Sequence, residues 1–213
     1  MMSPLVEALS MIGIFAFAIS GALVGVRRNL DLLGVIVVGV ATGLGGGILR
    51  DLFLGVHPPT TFVYWPNLAV ASAASVLVFL FHPSLARNRR FEVVFDAFGL
   101  GLFSATGAAF ALEQGQPALA AVLIGVFTAI GGGVIRDILV NDVPAVLTRE
   151  LYAVSAFTGS ITTTALMLLG SGLVTAPLIG GAAAVTLRLL SVKLGWHLPK
   201  PGPGIGGRRA ARD

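Results

Sequence analysis

An all-helical membrane protein is the fold class that this sequence predicts, and three observations carry it. Charged residues make up 11% of the 213 and hydrophobic ones 55%, at a mean hydropathy of +0.91. Soluble proteins carry about 25% charge, so a soluble globular domain is excluded for want of polar cover, and disorder is excluded because it requires low hydrophobicity. Charge-free apolar runs recur at lengths near the ~20 residues that a helix needs to cross a hydrocarbon core. Finally, a glycine-rich motif occurs twice, 86 residues apart.

The runs give seven spans in order. Ala8 to Val26 is the first and Leu32 to Leu49 the second. The stretch from Leu52 to Ala86 is charge-free, but Pro58, Pro59 and Pro66 break it, leaving a third span over Asn67 to His82. Glu92 to Leu112 is the fourth, with Asp96 near its start, and Gln114 to Ile135 the fifth. Leu151 to Leu187 is too long for one crossing. Gly170, Ser171 and Gly172 divide it into a sixth span (Leu151 to Leu169) and a seventh (Val174 to Lys193).

Positive charge sets the orientation. With the N-terminus outside and the C-terminus inside, Arg27, Arg28, Arg87, Arg89, Arg90, Arg149, Lys193, Lys200, Arg208, Arg209 and Arg212 all lie inside, which is 11 of the 14 basic residues. The outer segments, around Glu7, His57 to Trp65, Glu113 to Gln116 and Gly170 to Gly172, hold none. Tyr64 and Trp65 fit an outer aromatic belt and Trp196 an inner one. The first run lacks a basic n-region and is not read as a cleaved signal peptide. A pI near 10.3 therefore reads as topology signal and contact with anionic membrane lipid, with no nucleic acid implied. Zero cysteines and three isolated histidines (His57, His82, His197) offer no disulfide or structural metal site.

The two halves align without a gap from Phe17/Phe103 to Pro58/Pro144. Gly21, Gly39 and Thr42 fall on Gly107, Gly125 and Thr128. Gly45, Gly46 and Gly47 fall on Gly131, Gly132 and Gly133, and Arg50–Asp51 on Arg136–Asp137. The chain divides into a first three-helix repeat (1–86), a second (87–172), a seventh helix (173–195) packed outside the pair, and a Pro/Gly-rich cytoplasmic tail (196–213) expected to be disordered. Three helices per unit make the repeats inverted, an arrangement in which paired broken helices of membrane transporters build a site.

Three successive glycines each cost about 1 kcal/mol of helix propensity relative to alanine. The triplets are expected to kink or unwind, freeing carbonyl oxygens suited to a poorly hydrated cation such as K+. The competing reading is close helix packing, since Gly39, Gly43 and Gly47 stand at four-residue spacing. Arg50, Asp51, Arg136 and Asp137 are candidate pore or gating charges: the aspartates offset the arginines and favour cations, or the arginines close the path by pairing across it or repel ions; alternatively all four are ion-paired helix ends. Asp96 either faces the pore or caps its helix, and Thr42 and Thr128 either line the conduit or bond back to their own helices. Arg188 is expected to snorkel inward. Ser-His-Asp sets, H-E-x-x-H and nucleotide-binding loops are absent, so neither an enzyme nor a cofactor is expected.

ATGLGGGILRD and TAIGGGVIRD, in a seven-span chain of this length, resemble the prokaryotic trimeric intracellular cation (TRIC) channel family, members of which are also labelled glycine transporter or uncharacterised membrane domains. The resemblance covers about residues 5 to 195. It implies a homotrimer in the prokaryotic plasma (inner) membrane, one pore per protomer, passing K+ and some Na+ between helices 2 and 5. Gly45 to Gly47 and Gly131 to Gly133 would be its kinks. The rival expectation is a secondary transporter of a small zwitterion such as glycine, because inverted repeats suit alternating access equally well.

Overall fold

The computed structural model describes residues 4–85, 89–148 and 151–198. Among them all regular structure is helical: α1 (Pro4–Arg27), α2 (Leu32–Phe53), α3 (Thr60–Val63), α4 (Pro66–Leu85), α5 (Arg89–Glu113), α6 (Ala118–Leu139), α7 (Ala145–Thr148), α8 (Tyr152–Leu168) and α9 (Thr175–Leu194). Arg87, Arg149 and the tail from Pro199 fall outside the described residues. Of the seven expected spans, α1, α2, α5, α6 and α9 are long and apolar enough to cross a membrane. The apolar part of α4, Pro66–Phe81, is shorter, and α8 has 17 residues.

Local chemistry explains the helix ends. Asp31 accepts the Gly34 N–H at 2.7 Å and caps α2. Pro117, 86 residues later, stands at the same position before α6. Gly195, at φ +65°, closes α9 in the left-handed conformation that a glycine adopts without strain. Large apolar side chains remain exposed along the outer faces, among them Leu33, Val37, Leu80, Ile161 and Ile179. In water such a surface would aggregate; against acyl chains it is the solvated one.

The helices pack as two matching sets. α1 and α2 pair with each other and both hold α4; α5 and α6 pair likewise and both hold α8. α1 meets α5 and α2 meets α6 across the centre, while α9 lies outside against α5 and α8. At the centre the rings of Phe17 and Phe103 meet edge to face, centroids 5.3 Å apart.

The glycine triplets correct one expectation. They do not unwind: α2 and α6 run as unbroken helix through Gly45–Gly47 and Gly131–Gly133. The glycines serve the crossing of these two helices instead. A Cβ on Gly46 would fall on the carbonyl oxygen of Thr128, and one on Gly132 on the carbonyl oxygen of Thr42. Gly45 leaves room for Ile135, whose Cδ1 would lie 2.5 Å from an added Cβ, and Gly131 does the same for Leu49. Two glycines of the first triplet and all three of the second are thus required by close approach, Gly133 because the Tyr152 hydroxyl would lie 2.8 Å from an added Cβ, and helical bonding keeps their carbonyls partnered. Only Gly47 stands apart, the nearest atom to an added Cβ being Thr61 Oγ1 at 3.5 Å.

This geometry separates neighbours within one motif. Gly46→Ala is expected to destabilise the protein by about 1–3 kcal/mol, the range for overpacking. Gly47→Ala should be neutral or stabilising by up to ~1 kcal/mol through helix propensity. Thermal unfolding of each variant in detergent checks the contrast; equal effects would contradict it.

Candidate functional site: a one-sided cavity at the helix crossing

Each half places its Arg–Asp pair in the last turn of a central helix, just beyond the crossing. In the first half, Arg50 donates from Nε and Nη2 to Asp51 Oδ1 at 2.9 and 2.7 Å. Its Nη2 also reaches Thr60 Oγ1 at 3.2 Å, and its guanidinium lies 4.5 Å over the Phe110 ring. Asp51 Oδ2 accepts from Thr60 N–H at 2.7 Å and Thr60 Oγ1 at 2.6 Å, pinning the start of α3. In the second half, Arg136 donates from Nε to Asp137 Oδ1 at 2.8 Å, and Asp137 Oδ2 accepts the Ala145 N–H at 2.8 Å, pinning α7. Both arginines are buried, Arg50 at 5% and Arg136 at 0% exposure. Each is offset by the aspartate beside it, and the alternative of arginines pairing across the path is not what these bonds form. A buried guanidinium is held where a bidentate or multiple carboxylate contact offsets its desolvation.

The halves then diverge. Arg136 takes a second carboxylate, Asp96 Oδ1 at 2.7 Å, and Ser20 Oγ at 2.8 Å. Asp96 is therefore a buried partner of Arg136. Tyr152 Oη lies 3.4 Å from Asp96 Oδ1 and would stand 2.8 Å from a Cβ on Gly133, so the phenol fills the place beside the third glycine. Arg188 does not snorkel: it is 1% exposed, with its guanidinium 4.9 Å over the Tyr152 ring.

The same place in the first half is open. A cavity of about 590 Å³ is bounded by Glu7, Ser10 and Ile14 of α1, Gly43, Leu44, Gly47 and Arg50 of α2, Thr60, Thr61, Val63 and Tyr64 around α3, and Asn67 of α4. Phe103 and Thr128 form its floor at the α2–α6 crossing. By position Ser10 corresponds to Asp96. Asn67 corresponds to Tyr152, once a one-residue slip is allowed: Asp51 binds the N–H nine residues on, Asp137 the one eight residues on. Small polar side chains stand where the second half has a carboxylate and a phenol. That exchange is why one side is hollow and the other filled.

Of the residues singled out by sequence, Gly47, Arg50 and Thr128 border the cavity. Gly45, Gly46, Gly131 and Gly132 lie in the crossing, and Gly133, Asp96, Arg136 and Asp137 belong to the filled side. Thr42 and Thr128 bond back, each Oγ1 donating to the carbonyl four residues earlier at 2.6 Å. Glu7, Ser10, Asn67 and Tyr152 went unrecognised. At the 86-residue offset Glu7 falls on Val93 and Ser10 on Asp96, differences in charge and size that carry a signal for these two; Asn67 and Tyr152 pair only after the one-residue slip. No cluster of three or more potential metal ligands occurs among the described residues.

With unbroken glycine helices crossing between two buried Arg–Asp pairs, the molecule is a polytopic helical membrane protein of the TRIC channel fold. A solved TRIC cation channel superposes at a TM-score of 0.85 with 40% identity, covering 94% of this chain and 98% of that one. A TRIC trimeric intracellular cation channel orthologue from Rhodobacter sphaeroides gives 0.87 at 34% identity, with coverage of 91% and 100%. A family profile described as "Glycine transporter" matches residues 7–83 and 93–168, stretches that begin 86 residues apart. Among curated proteins, the UPF0126 inner membrane protein YadS of Escherichia coli K12 is 36% identical over 200 residues, covering 92% of this chain and 95% of YadS. A UPF0126 membrane protein of Deinococcus radiodurans is 43% identical over 154 residues, covering 71% of this chain and 72% of the relative. The chain belongs to this family, the glycine transporter or TRIC/UPF0126 family of membrane proteins, whose solved structures are channels and not enzymes.

The unequal halves give a second test. Asp96→Ala leaves Arg136 short of a buried carboxylate and is expected to cost about 3–5 kcal/mol. Ser10→Ala, at the corresponding position, should stay within about 0.5 kcal/mol, because Ser10 Oγ has no hydrogen-bond partner among the described residues. Unfolding midpoints of the two variants in detergent check this; comparable losses would contradict it.

Proposed function

We propose that the protein is a potassium-permeable channel for monovalent cations, Na+ included. It works as a homotrimer with one path per protomer between α2 and α6, in the plasma (inner) membrane of a prokaryote. In this reading seven helices cross as two inverted repeats plus α9, with the N-terminus outside and the C-terminus inside. The observation that carries it is the cavity descending to the crossing. Its border offers the oxygens of Glu7, Ser10, Thr60, Thr61 and Asn67. Arg50 is neutralised there by Asp51, so Glu7 leaves an excess of negative charge that favours a cation. Solved relatives at 34 to 40% identity bear the name of TRIC cation channels, which supports the same reading.

The mechanism follows from the asymmetry. A hydrated cation enters from the Glu7 side and reaches the floor at Phe103 and Thr128. Further passage between α2 and α6 requires the far side, where Tyr152, Asp96 and Arg136 are packed, to give way. In this reading the closed state is the one in which the phenol occupies the exit. The triplet carbonyls are held in helical bonds and are not proposed as ion ligands; the ion keeps its water and meets hydroxyl, amide and carboxylate groups.

The profile description "Glycine transporter" keeps a carrier of a small zwitterion as the second reading. In a planar bilayer with a KCl gradient, the channel gives unitary currents reversing near the K+ potential. Silence there, with saturable glycine counterflow in liposomes, would establish the carrier instead. Tyr152→Phe removes the hydroxyl beside Gly133 and its Asp96 partner. It is expected to raise open probability by about fivefold to tenfold, ~1–1.4 kcal/mol on the closed–open equilibrium. Unchanged gating would show that the phenol does not hold the path shut.

A further inference from the structure

A second cavity, of about 720 Å³, lies between the beginning of α5 and the end of α9, away from the α2–α6 crossing. Four cationic side chains border it: Arg89 and Arg90 from α5, Arg188 and Lys193 from α9. Arg89, Arg90 and Lys193 are exposed, whereas Arg188 is buried at 1% and forms the base. The rest of its border among the described residues is three valines and a leucine. Cations at the ends of two helices long enough to cross a membrane, beside an aliphatic wall, match a molecule that carries a phosphate and acyl chains together. Guanidinium groups bind phosphate oxygens through charge-assisted, often bidentate hydrogen bonds, and basic pockets between helices at the membrane surface hold anionic headgroups. A free phosphate would use the cations and gain nothing from the wall.

The base of this cavity touches the closed side of the path. Arg188 borders the cavity and its guanidinium also lies over the Tyr152 ring, and Tyr152 in turn lies against Gly133 and Asp96. A guanidinium is attracted to an aromatic face by the ring's quadrupole, and a phosphate oxygen competes for the same cation with a full charge.

We propose that this cavity is a binding site for an anionic phospholipid, and that headgroup binding draws on Arg188 and loosens Tyr152. The coupling rests on the reading of Tyr152 as the closure; the site itself does not.

Native mass spectrometry of the full chain in detergent, with phosphatidylglycerol and phosphatidylcholine as probes, tests the site. One phosphatidylglycerol per chain should be retained in the presence of excess phosphatidylcholine. Retention should fall at least about tenfold in Arg89→Gln/Lys193→Gln and persist in Arg28→Gln, which removes a cation elsewhere. Equal retention of phosphatidylcholine, or indifference to the double substitution, would overturn the site. Displacement by millimolar inorganic phosphate would overturn the lipid and leave a free-anion site. For the coupling, hydrogen–deuterium exchange over residues 152–156 should rise when phosphatidylglycerol binds to the wild type; bound lipid without that rise would overturn it. Both readouts are taken without current, so an electrically silent protein that passes them would strike the channel reading alone.

Discussion

The whole arrangement depends on two helix backbones being allowed to touch. At the α2–α6 crossing the space for a side chain on Gly46 is taken by a carbonyl of α6, and the space on Gly132 by a carbonyl of α2. Between apolar helices in lipid there is little hydrophobic drive for association, so van der Waals contact at short range must supply it. Glycine is the residue that permits such contact. The same principle repeats outward: Gly99 receives the Phe17 ring and Gly13 the Phe103 ring, which locks α1 against α5 around the same centre.

With the crossing fixed, the charges have defined places. An arginine in a membrane-spanning helix must be neutralised locally or reach water, and each central helix ends in an arginine beside its own aspartate. Each aspartate's second oxygen binds the first N–H of a short helix, so one residue both balances an arginine and ties a loop to the crossing. The two ends are built alike and occupied differently. Where Asp96 and Tyr152 fill the second, Ser10 and Asn67 leave the first hollow. In the proposed channel this is a path open at one end and plugged at the other, arising from a few differences between the two halves of a duplicated frame.

Much of this was legible in the sequence. The spans match the long helices to within about four residues, because a charge-free run of given length is set by bilayer thickness. The correspondence at 86 residues anticipated the paired contacts made by Gly46 and Gly132. Of the two readings of the triplets, unwinding follows from local propensity alone and close packing from the opposing helix: glycine favours unwinding in isolation and close packing once a partner backbone is present. The short helices α3 and α7 escaped notice since each is a single turn after a proline. Tyr152 was hidden by register. At a fixed offset it falls on Pro66, and only the extra residue at Pro58–Pro59 brings it onto Asn67, a slip visible in the hydrogen bonds of Asp51 and Asp137 and not in the motif itself.

In the proposed channel, ions reach the crossing through the open side and are stopped at the filled one. The natural absence of cysteine permits a direct measurement: single substitutions Gly47→Cys and Gly133→Cys, each exposed to a membrane-impermeant cationic methanethiosulfonate while current is recorded. The account predicts that Gly47→Cys reacts from the Glu7 side and that its potassium current falls, whereas Gly133→Cys, beneath Tyr152, stays unreactive in the closed state. An unreactive Gly47→Cys, or one that reacts without loss of current, would contradict it.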